Sequence, residues 1–212
     1  MEHPDPAGFL TQEFWDERYG DKPIWSGDPN TQLVHYVADL PPGTALDVGS
    51  GEGGDALWLA ARGWTVTGAD ISDIALRRSA EVAERMGVAA RVTWQQADLL
   101  TWAPPVATFD LVTAFFVHLP GPHREALLRR LAAAVRPGGT LLYVTHHPYD
   151  LEVEGLRPHM PEMFATGEQM AESLDPTVWT ITTAAPIRPG TDKDGTPVTL
   201  HDAVLHAVRR TP

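Results

Sequence analysis

The chain has 212 residues, a formal net charge of −12 and no cysteine. That length suits one α/β domain with a substantial core. The acidic balance argues against nucleic acid, which demands a cationic track along its phosphates. The missing thiols exclude disulfides, thiolate metal sites and a cysteine nucleophile. No apolar run approaches the roughly 20 residues that span a bilayer. The opening Met1-Glu2-His3-Pro4-Asp5 lacks the apolar region of a secretory signal. The expected setting is therefore cytoplasmic, with small molecules rather than nucleic acid or membrane as partners.

Residues 11–19 read as a short helix carrying Phe14, Trp15 and Tyr19 on roughly one side. Gly27 and Pro29 mark a loop, and Asn30 or Thr31 caps a helix over residues 32–39 that stops at Pro41-Pro42-Gly43. This aromatic segment, within residues 1–43, has two readings: packing on the sheet's edge, or a lid that folds back through Tyr19 and Trp25.

The stretch Thr44-Ala45-Leu46-Asp47-Val48-Gly49-Ser50-Gly51-Glu52-Gly53-Gly54-Asp55 is the organising feature. An apolar run ends near an acid, glycines follow, and Ala56-Leu57-Trp58-Leu59-Ala60-Ala61 continues at helical spacing. That order predicts buried strand, tight turn and helix. The glycines permit positive φ, and the helix points unpaired N–H groups into the gap. The result is a nucleotide-sized notch at the carboxyl edge of a parallel sheet.

Gly63 ends that helix, and residues 64–69 form a second strand closing in Asp70. Ser72 caps a long helix ended by Gly87, and residues 91–95 form a third strand. Residues 109–116 make a fourth strand running out at Val117-His118-Leu119-Pro120. A helix from Pro122 to Pro137-Gly138-Gly139 precedes a fifth strand over residues 140–145, which ends in His146-His147-Pro148. Residues 150–161 are acidic and irregular. Thr166 opens a helix with Gln169 in capping-box spacing. Residues 177–186 and 199–209 are strand-like and joined by a polar loop over residues 188–195.

The expected fold is α/β: one domain over residues 1–212, with a doubly wound, mostly parallel seven-stranded sheet. Helices cover both faces, and the C-terminal strands add an antiparallel pair.

The ordered motifs resemble the class I S-adenosylmethionine-dependent methyltransferases over roughly residues 15–209. Four pieces carry the resemblance: Asp47-x-Gly49-x-Gly51-x-Gly53, Asp70 ending the second strand, Ala97-Asp98-Leu99 after the third, and Arg136-Pro137-Gly138-Gly139 before the fifth. The resemblance implies that S-adenosylmethionine is held by Asp47, Gly49, Ser50, Gly51 and Gly53, by Asp70 and Ile71, by Ala97, Asp98 and Leu99, and by Phe115. Asp70 would take the ribose hydroxyls and Asp98 the adenine amino group. The chemistry agrees: carboxylates accept from a diol, and Asp47 offers a sign opposite to an ammonium and a sulfonium. Each acid also has a plain structural reading, as a turn cap, a helix cap or a solvated loop acid.

Two other functions compete. Gly49-x-Gly51-x-x-Gly54 with Asp70 downstream also satisfies a dinucleotide fingerprint, which predicts an NAD(P)-binding oxidoreductase. Asp47 opposes that, because it sets negative charge beside a pyrophosphate. A non-catalytic S-adenosylmethionine-binding protein would share every cofactor motif.

In a methyltransferase the acceptor approaches over the tips of the fourth and fifth strands. His118, His146 and His147 are the candidate catalytic residues there, since histidine takes a proton near neutral pH, and His118 is the first choice because Phe115 and Phe116 just before it would line the adenine and the acceptor channel. Strand alternation sends His146 and His147 to opposite faces. Loop histidines bonded to carbonyls are the alternative for all three. Tyr19, Trp25, Phe116, Met160, Met163 and Phe164 are expected to line or cover the acceptor, or to pack as ordinary loop residues. No Asn/Asp-Pro-Pro-aromatic sequence follows the fourth strand, so nucleic-acid amino groups are poor acceptors. The spacing resembles the small-molecule branch that includes thiopurine and tellurite-resistance methyltransferases, which leaves sulfur, selenium or tellurium and oxygen or nitrogen as acceptor atoms. No bound metal is expected.

Overall fold

The computed structural model describes residues 10–153, 156, 160–192 and 194–211. Part of the expected N-terminal segment, residues 1–9, and residues 154, 155 and 157–159 of the irregular stretch lie outside the described residues.

Five strands run parallel in the order β3-β2-β1-β4-β5: β1 (Thr44–Val48), β2 (Thr65–Asp70), β3 (Val92–Gln96), β4 (Phe109–Phe115) and β5 (Val135–His146). The central strands β1, β4 and β5 are buried on both faces, which is why they read as continuous apolar runs rather than alternating ones. Leu46, Val48, Val112 and Tyr143 face a core completed by Leu127, Leu128 and Leu131 of α5 (Gly121–Ala134). Ala45, Val66, Leu111 and Val144 face the other core, with Leu33 and Val37 of α2 (Thr31–Val37) and Ala56 and Leu59 of α3 (Gly54–Ala61). One-residue alternation thus divides the sheet between two helical layers. The strand order turns around at β1, with β2 on one side and β4 on the other, and so opens a crevice at their carboxyl ends.

On the far side, β8 (Pro197–Arg209) lies antiparallel to β5, and β6 (Trp179–Ala184) antiparallel to β8. The sheet has eight strands, one more than the seven expected. The added strand is β7 (Ile187–Thr191), drawn from residues expected to be loop, and it pairs with Pro197 to His201 of β8. Pro189 and Gly190 gave this stretch its loop-like composition, but proline is tolerated on an edge strand. Asp192 closes the hairpin: its Oδ1 accepts the N–H groups of Asp194 at 2.9 Å and Thr196 at 2.8 Å. His146 of β5 pairs with Asp202, so Pro197 to His201 continue beyond that strand's end. At about 3.4 Å per residue the β7–β8 arm rises about 17 Å over the carboxyl edge.

Three further α-helices complete the fold among the described residues: α1 (Gln12–Tyr19) near the N-terminus and two more. In α4 (Asp73–Met86), Ser72 accepts the Ala75 N–H at its start and left-handed Gly87 ends it. In α6 (Gly167–Ala171), Thr166 and Gln169 form the expected capping box. Among the described residues, no helix is long and apolar enough to cross a membrane.

Candidate active site at the carboxyl edge of the sheet

Asp47, next to last in β1, is almost wholly buried. Its Oδ1 accepts the Thr113 hydroxyl at 2.9 Å across the β1–β4 pair. Its Oδ2 is buried with no hydrogen-bond partner among the described residues, and so is the Ser50 hydroxyl. Burial, then the charge of Asp55, pushes the Asp47 carboxyl well above the usual carboxylate range; Asp70 adds to this and the Thr113 bond opposes it. Burial likewise pushes Asp55 to about 6, although its Oδ1 accepts the Asn30 N–H at 2.6 Å. Asp70 is also raised by burial, while its oxygens accept the N–H groups of Gly51 and Ser72 at 2.8 and 2.9 Å. Three carboxyls thus surround one glycine turn whose Gly49, Gly51 and Gly53 all have positive φ. An anionic ligand here would raise the repulsion; a cationic one would relieve it.

Beside this turn a cleft of about 470 Å³ lies between the ends of β2 and β3 and the start of the N-terminal helix. Ile71, Gln96, Ala97 and Asp98 line it from the sheet, and Leu10, Thr11 and Gln12 from the other side. Asp98 is exposed and its carboxylate serves its own turn, accepting the Leu100 N–H at 2.9 Å and the Thr101 hydroxyl at 3.2 Å. Leu99 is half-buried against the α5-side core. Trp94 packs beneath the turn: a Cβ on Gly68 would stand 2.5 Å from its ring, so β2 requires glycine there.

The N-terminal segment covers the turn. The Tyr19 hydroxyl lies 2.8 Å from where a Cβ on Gly51 would stand, and the Trp25 indole nitrogen 3.8 Å from the same point. Tyr19 is buried and Trp25 exposed. Polar bonds hold the segment down. Glu52, inside the glycine turn, accepts the N–H groups of Ile24 and Trp25, each at 3.0 Å, and pairs with Arg78. Arg78 donates to the Gly20 carbonyl at 2.9 Å and the Lys22 carbonyl at 3.2 Å. Asp16 of α1 (Gln12–Tyr19) accepts the Ser72 hydroxyl at 2.6 Å. The sequence reading missed Glu52, Arg78 and Asp16. An acid among turn glycines was the one signal for Glu52.

On the acceptor side, β4 ends in Phe115, and Phe116 adopts φ 55°. A bulky side chain rarely enters this left-handed region, and the local cost is about 1–2 kcal/mol. The turn is held by the Phe116 N–H to the Val144 carbonyl at 2.8 Å and by the Tyr143 hydroxyl to the Val117 carbonyl at 3.1 Å. It sets the Phe116 ring 4.5 Å from the ring of His146, whose own ring lies 5.0 Å from that of His118. Phe164 lies 6.2 Å from His146. Arg124 donates to the carbonyls of Leu119 and Glu162, both at 3.2 Å, and ties the 161–163 turn, with buried Met163, to this region. Met160 is half-buried at the start of that turn.

His147 goes elsewhere, as alternation requires. Its Nδ1 accepts the Tyr149 N–H at 3.2 Å, its ring lies 6.5 Å from that of His201, and His201 Nδ1 lies 3.1 Å from buried Asp150. Burial, then His201, lowers the His147 pKa. His118, His146, Phe116 and Phe164 are therefore brought together, and His147 is separated from them. No cluster of three or more metal-ligating side chains occurs among the described residues.

Comparison with known proteins gives the same picture. Residues 45–139 match a family described as a methyltransferase domain. Over 147 residues the chain is 32% identical to 27-O-demethylrifamycin SV methyltransferase of Amycolatopsis mediterranei, a match covering 65% of this chain and 54% of that protein. The chain spans about half the length of the curated relatives it matches. Among solved structures, one from a study of disulfide-to-thioacetal conversion during echinomycin biosynthesis aligns with TM-score 0.75 at 23% identity, covering 94% of this chain and 91% of that one. Magnesium protoporphyrin IX methyltransferase from Synechocystis PCC 6803, solved with bound SAH, aligns with TM-score 0.65 at 22% identity, covering 96% and 97%. With its matched residues 45–139, its sheet order and its acid-flanked glycine turn, the chain is similar to methyltransferase domains in sequence and in fold.

Proposed function

We propose that the chain transfers a methyl group to a hydroxyl of a small-molecule acceptor, with S-adenosylmethionine as donor. One observation carries the reading: buried Asp47 keeps an unbonded oxygen beside a glycine turn that two more acids flank. That donor set fits a ligand with an ammonium and a sulfonium, and it disfavours a pyrophosphate coenzyme. Asp47 would hold the cationic end, Gly49 to Gly53 the backbone approach, and Asp70 and Ile71 the ribose. Ala97 and Asp98 would border the adenine in the cleft of about 470 Å³. The choice of oxygen is supported by the name of another relative, the ubiquinone biosynthesis O-methyltransferase of Coxiella burnetii, 29% identical over 139 residues.

The cofactor supplies a methyl group already activated on sulfur. What remains for the chain is alignment, exclusion of water and, for a hydroxyl acceptor, removal of a proton. Phe115 and Phe116 wall the approach. His146, tilted against Phe116 and beside His118, is the base we favour, with His118 orienting the acceptor. Tyr19 and Trp25, latched by Glu52, shield the cofactor side from water.

Calorimetry with S-adenosylhomocysteine against NAD⁺ tests the cofactor; heat from the nucleotide alone refutes the reading. Release of S-adenosylhomocysteine with matched alcohols, phenols, thiols and amines then tests the acceptor. Turnover of thiols alone would return the acceptor to sulfur.

A further inference from the structure

The β7–β8 arm stands over the acceptor side and brings the Arg188 guanidinium to it. Arg188 lies on β7, where it pairs with Leu200. Its Nε donates to both carboxylate oxygens of Asp202 at 3.1 Å, and Asp202 is only 1% exposed. Asp202 is in turn the cross-strand partner of His146, so the two side chains share a face of the sheet. The Arg188 guanidinium carbon lies 5.7 Å from the centre of the Phe116 ring, the same ring that lies tilted against His146. Among the described residues, the two terminal amino groups of Arg188 make no hydrogen bond. Among the described residues, Arg188 is also the only charged side chain along a groove of about 330 Å³ on the arm.

Resting on the methyl-transfer reading above, we propose that Arg188 selects acceptors that carry a carboxylate. A guanidinium presents five donors in a planar fork, and the Asp202 bond uses only the Nε edge. Asp202 is a positioning residue: it locks the fork in place and leaves the outer edge for a planar oxyanion. Phe116 supports the acceptor's apolar body, and His146 meets the hydroxyl at its other end. A purely structural pair would need Arg188 only to neutralise a buried acid. That role requires neither a position over Phe116 nor open donors on the acceptor side.

Binding of 4-hydroxybenzoate and of 4-hydroxybenzyl alcohol to the chain saturated with S-adenosylhomocysteine tests this by ligand-observed NMR titration. The wild type is expected to bind the benzoate at least tenfold more tightly than the alcohol, in line with a charge-assisted hydrogen bond. Arg188→Lys keeps a charge opposite Asp202 but loses the fork, and should reduce the preference several-fold. Arg188→Met with Asp202→Asn leaves no unpaired buried charge and should abolish the preference. Equal affinity for the two probes in the wild type, failure of both to bind, or a preference retained in the double variant overturns the proposal. Failure of S-adenosylhomocysteine itself to bind would instead overturn the function on which it rests.

Discussion

Asp55→Asn isolates the electrostatic cost of the cradle. Asp55 lies in the first turn of α3, partly buried, and burial pushes its carboxyl from 3.8 to about 6. Between those values the native state still holds a proton that the unfolded chain has released, so stability falls as pH rises through this window. The displacement corresponds to about 3 kcal/mol in full, of which roughly 1.4 kcal/mol is lost between pH 5 and pH 7.5. Asparagine keeps an oxygen for the Asn30 N–H, which Asp55 now accepts at 2.6 Å, and cannot ionise. Urea unfolding of both proteins across pH 5 to 7.5 at fixed ionic strength measures the difference. Wild-type stability should decline by at least about 1.4 kcal/mol more than that of the variant. Asp70, raised in the same direction, gives a slope that both proteins share; Asp47 loses the Asp55 charge in the variant, so its lowered carboxyl widens the difference beyond the Asp55 contribution alone. Parallel profiles would show that Asp55 titrates as an ordinary surface acid, and the account of the cradle would fail.

Asp47→Asn removes a buried charge, so the ligand-free protein should melt higher at pH 7.5, while calorimetry shows S-adenosylhomocysteine binding ten- to hundredfold more weakly; unchanged affinity would sever Asp47 from the ligand. Gly51→Ala places a methyl group against Tyr19 at a residue with φ 51° and should cost about 1–3 kcal/mol by urea unfolding. Adding Tyr19→Phe should recover only the contact part, and full recovery would mean that backbone strain is negligible. His146→Ala should lower methyl transfer to hydroxyl acceptors at least a hundredfold and His147→Ala by less than threefold, followed by S-adenosylhomocysteine release; the reverse order would move the base to the Asp150 side. Glu52→Gln should speed hydrogen exchange at the Ile24 and Trp25 amides about tenfold, because a charged acceptor becomes a neutral one. Unaltered protection there would mean that other contacts hold the segment down.

Amino-acid order alone determined the parallel half of this protein. Buried strands, glycine turns and capped helices announce themselves locally, because backbone torsion, capping and apolar period act over a few neighbouring residues. The turn from Gly49 to Gly53, Asp70 at the end of β2 and the Thr166 capping box all fall where the sequence places them. Alternation also required that His146 and His147 part company. Tertiary structure alone decided which of the two meets Phe116, since that depends on the sheet face that β4 presents to β5. It also decided that residues 187–191 pair rather than loop, because a long-range partner on β8 outweighs the local turn signal of Pro189 and Gly190. The latch of Glu52 and Arg78 and the pair of Arg188 and Asp202 were equally hidden. Their partners stand 26 and 14 residues apart, and a charge carries no mark in sequence of the partner that folding will bring to it.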